Sequence, residues 1–498
     1  MAGLRIAFIT PEFQSLVRRT NLATVSESLA KALHGARQDV RVFLPWAKEL
    51  DTSSLGALTH RVDLQVPDGR LTQRVRVHEG ALDGVPVYLF EHEHFFGSRH
   101  PYGDQDGPYP DNWRRYALFS RAVLDSMEHL GFSPDVLHCL DWTTGLIPLL
   151  HRLEWVEAKP DHPTSKAGTY FAIHNLAMQG VFEREILPHI GLPHEVFRYV
   201  EGLELGAKVN FMKAGAEFAT IVGTYSPGHA KRIQELDRGY GLEDTFQRRH
   251  KELLGITNGI DYEAWDPATD SLLPARFNGP KGDLAGKKKC KAALQAALKL
   301  DNGPRQPIAI SIGRWDADSG FDLVADCMTE ILERNFEVIV MGQGSPEMNQ
   351  RLLTWERSFV GRMRAVEGYN QHTAHMMMAG ADLLLLPAHY QPANPLIAIA
   401  MRYGVLPVVY AKSGLEDSVI DYPSDKSHGT GFQFEPYTSE GLMESITAAL
   451  ATYREANKWK LIVKRALGKD FSWDATAAEY LKAYRRVTRR AKQRLASA

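Results

Sequence analysis

Cysteine is scarce in this sequence: Cys139, Cys290 and Cys327 are the three in a chain of 498 residues. They stand far apart inside apolar patterns, which speaks against a disulfide framework or a thiolate metal set and for small core residues in a reduced, cytoplasmic protein. Long apolar runs are also missing. None approaches the roughly 18 residues that a membrane span requires, and MAGLRIAFIT runs straight into a strand without the layout of a signal peptide. The expectation is a protein neither exported nor membrane-bound. An excess of one charge is lacking as well, since the formal net charge is −2, and this removes the electrostatic reason to expect nucleic acid. What remains is ordinary globular composition, 44% apolar and 24% charged, in a chain too long for one core. Two α/β domains are expected.

Periodicity places the elements. LRIAFIT is a compact strand, Asn21 to His34 puts Leu22, Val25, Leu29 and Leu33 on one helical face, and VRVFLP is a second strand. The loop between them, PEFQSLVRRTNLATV, is positioned to approach a ligand. Downstream, a Gly/Pro/Asp-rich loop leads into a helix for which the Asp-Asn pair before Trp113 is a candidate N-cap. DVLHCLDWTTG carries Asp141 and Trp142 at a strand's carboxyl end; the pair reads either as cap and core aromatic or as a sugar site, with hydroxyls on the carboxylate and a ring face on the indole. FAIHNLAMQG ends a strand at His174 and Asn175, and the histidine is either structural or part of a site. Gly239–Leu242 reads as a turn. ITNGIDYEAWDPATD reads as an irregular crossing, after which PIAISIGRW opens a second strand-helix series. Such a repeat supports two Rossmann-like domains facing across a cleft. The run GKKKCKAALQAALKL and the basic last helix, with Arg485, Arg486, Arg489, Arg490 and Lys492, read as solvated faces, the alternatives being an anion site and a glucan or anion surface. ADLLLLP is a buried parallel strand followed by a polar loop and a helix, a corner that should face a phosphate or a sugar.

That corner, PAHYQPANPLIAIAMRYG, resembles the donor loop of the bacterial glycogen synthases and plant starch synthases in Pro387, Pro392, Ala400, Met401, Arg402, Tyr403 and Gly404. The resemblance extends through the Tyr-Gly-Asp and Tyr-Pro-Asp-Asn segment, HNLAMQG, ITNGIDYEAW, Tyr369, His375 and the C-terminal pattern, from Arg5 to about Thr488. It implies a GT-B fold: an N-terminal acceptor-side domain over 1–257, a donor-side domain over 258–475 and a helix over 476–498 returning to the first domain. Members transfer glucose from ADP-glucose to the non-reducing end of an α-1,4-glucan, with retention and without a metal or cofactor. By resemblance His174, Arg314, Ser319 and Gln391 occupy catalytic positions, with His174 and Asp141 expected to face Arg314 and Gln391. Arg18, Thr20, Asn21, Asn175, Asn258, Tyr369, Asn394, Ser413 and Gly414 occupy donor-binding positions, Tyr369 against the base. Asp141 and Trp142 fall at the acceptor.

Several of those positions depart from the pattern. Gln391 replaces a glutamate, Ala393 a cysteine and Asn394 a glycine. Ser319 replaces the lysine of an Arg-x4-Lys-Gly pair, and Ser413 replaces the first of two glycines before Gly414. In the first loop Arg18 and Arg19 replace Lys-Thr, while Thr20 and Asn21 replace two glycines, adding side chains where the family leaves space. The arginine pair reads either as a substitute cation site or as a surface pair at a helix start. Three functions are consistent with this pattern: a glucan synthase, active or weak; a catalytically silent glucan-binding or regulatory relative; and a transferase with another donor, in which Arg18, Arg19 and Lys412 stand in for the lost lysine.

Overall fold

The computed structural model describes residues 3–279, 283–301, 303, 305–389, 391, 394–415 and 417–497. Pro392 and Ala393 lie outside the described residues. The chain forms two compact units, Met1–Thr257 with Trp473–Ala498, and Asn258–Ser472. The closing helix starts at Trp473 rather than at residue 476; Ser472, just before it, bridges to Ile260 within the second unit.

The first unit is built on a nine-stranded sheet in the order Leu253–Gly255, Ile221–Thr224, Gly168–Ile173, Val136–Leu140, Arg5–Ile9, Asp39–Pro45, Val85–Glu91, Leu71–Leu82, Thr59–Asp68. Arg5–Ile9 is central and buried on both faces, as parallel strands covered by helices must be. Ile6 and Phe8 point into one core layer and Ala7 and Ile9 into the other, the period-two consequence of the pleat. The helix Asn21–Gly35 and the closing helix cover the first face. Tyr480, Tyr484 and Val487 bury themselves there, and the Tyr484 hydroxyl lies 2.5 Å from His138 Nδ1. That helix is therefore not simply a solvated basic face: Arg490 pairs with Glu252 at 2.5 Å and Arg486 donates to the Lys251 carbonyl. The three antiparallel strands from Thr59 to Glu91 extend the sheet beyond the elements expected from the sequence. Asp111 sits at the N-cap of the helix Asn112–His129 but makes no capping bond; Arg99 holds its carboxylate at 2.6 and 2.7 Å.

The second unit carries a six-stranded parallel sheet in the order Met363–Glu367, Glu337–Gly344, Ile308–Trp315, Leu383–Leu386, Leu406–Tyr410, Phe432–Phe434. The irregular segment at its start is pinned by one carboxylate: Asp270 Oδ2 accepts from the Tyr403 hydroxyl at 2.6 Å and lies 2.8 Å from His375 Nδ1. Trp265 stacks on that imidazole at 3.8 Å. All three cysteines are buried and free.

The lysine-rich helix, Ala285–Ala297, corrects an expectation. Lys288 and Lys289 are exposed, but Lys291 is buried, its ammonium donating to Asp382 at 2.7 Å, to the Gln306 carbonyl at 2.5 Å and to the Tyr453 hydroxyl at 3.1 Å. Lys287 turns inward to the Ala379 carbonyl, and burial lowers its pKa to about 8. Lys287 ties the helix to the helix Gln371–Gly380, and Lys291 ties it to the strands Ile308–Trp315 and Leu383–Leu386, since the same Asp382 oxygen accepts the Ile308 N–H. Removing one partner of a buried pair leaves the other charge uncompensated, so Lys291→Ala should lower unfolding stability by about 3–5 kcal/mol. Lys288→Ala should stay within about 0.5 kcal/mol. Denaturant titration of both variants measures the difference; equal effects would return Lys291 to the solvated class.

Candidate active site

Both sheets have a topological switch point, the place where strands leave a central strand in opposite directions and where ligands collect beyond the carboxyl ends. In the first unit it lies between Arg5–Ile9 and Val136–Leu140. The loop after Arg5–Ile9 is organised by Glu12, a buried carboxylate absent from the sequence-derived site. It accepts from the backbone N–H groups of Arg19 (2.5 Å) and Thr20 (2.7 Å), the Thr20 hydroxyl (2.9 Å) and the Tyr102 hydroxyl (2.6 Å). The Thr20 oxygen also caps the helix, taking the Leu22 N–H at 3.1 Å. Thr20 thus directs its polar group back into the loop. Arg18 and Asn21 are exposed, while Arg19 Nε donates to Glu49 at 2.5 Å.

Across the switch point, Asp141 ends its strand with φ +54 and ψ −176, a conformation close to one normally reserved for glycine and costing about 1–3 kcal/mol. Its Oδ1 accepts the N–H groups of His174 at 2.7 Å and Asn175 at 3.2 Å, so the carboxylate binds two strand ends together. Burial raises its pKa to about 6 against the pull of those donors. The same burial holds His174 down at about 4, leaving a neutral imidazole at neutral pH. Its Nε2 finds no partner among the described residues. Asn175 is exposed, and its Oδ1 takes the Ala177 N–H at 3.2 Å. Trp142 is a core ring, 6% exposed, packed edge-on to Tyr116 at 5.1 Å. A Cβ at Gly180, where φ is +62, would come within 2.4 Å of the indole. The open sugar platform expected of Trp142 is therefore not there; the aromatic contributes rigidity beneath Asp141.

In the second unit the switch point separates Ile308–Trp315 from Leu383–Leu386, and Arg314 and Gln391 flank it. The two loops touch: a Cβ at Gly320 (φ +74) would meet the Pro387 carbonyl at 2.1 Å. Arg314 is exposed, its Nε 3.1 Å from Asp316 and its Nη2 3.6 Å from Asp318. Ser319 folds into this turn, its hydroxyl 2.5 Å from the Arg314 carbonyl and its N–H on Asp316 at 3.0 Å. The Gln391 N–H donates to the Ser413 carbonyl at 2.9 Å, whereas its Oε1 is buried without a partner among the described residues. Asn394 caps the helix Pro395–Arg402 by taking the Leu396 N–H at 2.9 Å. Ser413 is buried, donates to the Tyr410 carbonyl at 2.7 Å and accepts the Leu415 N–H at 3.3 Å. Gly414 takes φ +87. Tyr369 follows the strand Met363–Glu367 with its ring 67% exposed. Asn258 opens this unit, its Oδ1 buried without a partner among the described residues. Of the candidate replacement cations, Lys412 pairs with Glu435.

Two α/β units, with polar loops gathered at a switch point in each, define the GT-B class of glycosyltransferases. The first matches the family profile "Starch synthase catalytic domain" over residues 5–248, and the second matches "Glycosyl transferases group 1" over 297–465. The chain belongs to the glycogen and starch synthase family. It is 38% identical to a glycogen synthase of Anaeromyxobacter sp. (strain Fw109-5), over 97% of this chain and 99% of that protein. It is 35% identical to glycogen synthase 2 of Geobacter sulfurreducens, over 97% and 98%. Among solved structures, the catalytic domain of starch synthase IV from Arabidopsis thaliana, bound to ADP and acarbose, superposes with a TM-score of 0.79 at 28% identity, covering 98% of this chain and 99% of that one. No helix among the described residues is long and apolar enough to cross a membrane.

Asp141 gives the site a pH signature. A carboxyl pKa raised by folding means the fold favours the neutral acid, so the group is without penalty below its ordinary value near 3.9. It becomes destabilising as pH rises toward 6, by about 3 kcal/mol in full. Asp141→Asn keeps an acceptor for the two N–H groups and removes the charge. It should be more stable than wild type at pH 7.5 and no more stable at pH 4. The His174 and Asn175 amide resonances of the wild type should move with a midpoint near 6, and not in the variant; a shift that survives the substitution would belong to another group.

Proposed function

We propose that this chain is an α-glucan synthase of the ADP-glucose type that keeps Asp141 on its acceptor side and has a weakened donor side, so that glucosyl transfer is slow or lost while glucan binding persists. The observation that carries the reading is the state of Arg314. It is the only cation in GRWDADSG, and it lies between two aspartates rather than beside a second cation.

In the proposed reaction the bond from the glucose anomeric carbon to the donor's diphosphate breaks, one to an acceptor hydroxyl oxygen forms, and the hydroxyl's proton passes to the departing diphosphate. Negative charge collects on the departing diphosphate, and the rate depends on cations and N–H dipoles already aimed at it. Arg314 would supply the charge, Gly414 a flexible backbone approach and Gln391 an amide oxygen for sugar hydroxyls. The Arabidopsis starch synthase IV domain, bound to ADP and acarbose, supports a nucleotide-sugar donor and a glucan acceptor for this chain. Losing one preorganised donor costs about 10²–10³ in rate, and losses within one functional unit do not add. The silent reading gains from a second observation: Thr20, Asn394 and Ser413 each take a backbone N–H two residues ahead, donors that glycines would leave open. A rearranged site using Arg18, Arg19 or Lys412 is less favoured, because Glu49 and Glu435 pair with two of those cations and Arg18 is exposed beside loop N–H groups that Glu12 already takes.

Incubation with radiolabelled ADP-glucose and glycogen tests the proposal. Transfer should fall well below the ordinary enzyme rate of about 10 s⁻¹, and a rate at that level would end the weakened-donor reading. Titrated separately by calorimetry, maltooligosaccharides should bind more tightly than ADP-glucose; the reverse order, abolished by Arg314→Ala, would indicate a working donor site.

Repair should also be measurable. Ser319→Lys restores a cation, Gln391→Glu a charged acceptor for sugar hydroxyls, and Thr20→Gly with Asn21→Gly opens the first loop. Glycine is itself an acceptable N-cap, so the helix should lose only a few tenths of a kcal/mol. Each change alone should do little. The fourfold variant should raise transfer at least about 10²-fold, and a well-folded but inert fourfold variant would place the loss elsewhere.

A further inference from the structure

Replacing the second cation of the Arg314 loop by serine does more than delete a charge. The Ser319 N–H donates to Asp316 Oδ1 at 3.0 Å, and the Ser319 hydroxyl lies 2.9 Å from the same oxygen. The other carboxylate oxygen, Oδ2, faces Arg314 Nε at 3.1 Å. The turn beneath is fixed by the Gly320 N–H on the Ala317 carbonyl and the Phe321 N–H on the Asp316 carbonyl, both at 3.0 Å. Gly320 at φ +74 hands the chain into the helix Phe321–Glu333. One carboxylate oxygen is thus fastened by serine, and the other is aimed at the guanidinium. Asp318, 3.6 Å from Nη2 and 88% exposed, has no such brace among the described residues.

We propose that Asp316, braced by Ser319, is an internal anion that competes with the donor's diphosphate for Arg314, and so sets how strongly this loop takes a nucleoside diphosphate. This rests on the reading that Arg314 faces the donor's diphosphate. A diphosphate approaching Arg314 must displace or sit beside a carboxylate already held in place, and because the brace has removed its rotational freedom, Asp316 gives up little entropy in staying. A lysine at 319 would neutralise such a carboxylate; serine presents it. Asp316 is therefore a positioning and specificity residue that discriminates against anionic leaving groups.

The test is calorimetric titration of the full chain with ADP at low and high salt, on wild type, Asp316→Asn, Asp318→Asn, Ser319→Ala, Arg314→Ala and the Arg314→Ala/Asp316→Asn pair. Asparagine keeps an oxygen for Ser319, so the turn should survive, and an unchanged thermal midpoint checks this. Asp316→Asn should tighten ADP about three- to tenfold at low salt, with a smaller gain at high salt. Ser319→Ala should give part of that gain, and Asp318→Asn less than twofold. In the Arg314→Ala background the Asp316→Asn gain should vanish. If Arg314→Ala weakens ADP but Asp316→Asn changes nothing, Arg314 meets the diphosphate and the internal-anion idea is wrong. An equal gain with and without Arg314 would also overturn it, by reducing Asp316 to a general negative charge. If Arg314→Ala leaves ADP binding unchanged, or ADP binds to none of the variants, the idea falls together with the reading of Arg314.

Discussion

A parallel strand delivers its chain to a turn, and the N–H groups of the turn and of the helix after it need acceptors. What fills that need decides what the carboxyl edge of each sheet can bind. Glycine turns leave the donors for a ligand; turns with Thr, Ser or Asn satisfy them from within. Thr20 takes the Leu22 N–H, Asn175 that of Ala177, Asn394 that of Leu396 and Ser413 that of Leu415. All four bonds span two residues; those of Thr20 and Asn394 cap the helices that follow, and those of Asn175 and Ser413 close turns just after a strand. Glu12 adds the N–H groups of Arg19 and Thr20 to the set already used. A diphosphate arriving at such loops exchanges one acceptor for another instead of meeting open donors, and the net worth of an exchanged hydrogen bond is small.

The same bookkeeping accounts for the frame. In the second unit Asp270 gathers Tyr403 and His375, and Asp382 gathers Lys291 and the Ile308 N–H. Each carboxylate joins segments distant in sequence, and each carries at least two donors on one oxygen, the kind of pairing under which a buried charge is tolerated. The invitation to a ligand comes from groups left over. Gln391 Oε1, Asn258 Oδ1 and His174 Nε2 are buried acceptors or donors without partners among the described residues, and each stands at a position that resemblance assigns to the site.

Much of the fold was legible because it depends on short-range patterns. The strand-helix alternation, the crossing at Asn258 and the last helix are visible in periodicity and breakers. The antiparallel strands from Thr59 to Glu91 fall outside that strand-helix alternation; their own signal is the period-two exchange of charged and apolar residues that marks a half-exposed ribbon. Lys287 and Lys291 share a helical face with Leu294, so their inward turn was signalled by spacing; composition masked it, because a lysine is buried only where a partner such as Asp382, 91 residues away, awaits it. Glu12 illustrates the limit more sharply. Its role depends on Tyr102, 90 residues on, and nothing local announces that meeting. Trp142 misled for the opposite reason: a dipeptide suited to sugars lies where the core needs a large ring. Ser319 looked like a simple loss, and its hold on Asp316 depends on a turn geometry that no spacing rule supplies.

Asp141 and Arg314 then stand as two different arrangements of charge. Asp141 is kept ionisable in a strained backbone, buried, with a pKa pulled up to about 6. Its conformation and its desolvation both cost stability, and a residue held at such cost in a ligand-side loop is a sign of function rather than of packing. Arg314 is relaxed, exposed and answered by carboxylates of its own turn. A preorganised group gains selectivity from what it has already spent, whereas a group with internal partners must first lose them. The loop that begins at Asp141 in the first unit is the poised one. On the proposed reading the loop of the second unit is the donor side, and it would offer the Arg314 charge only in competition with Asp316. On that reading the activity would turn on this competition more than on the fold, because the fold provides both loops in either case.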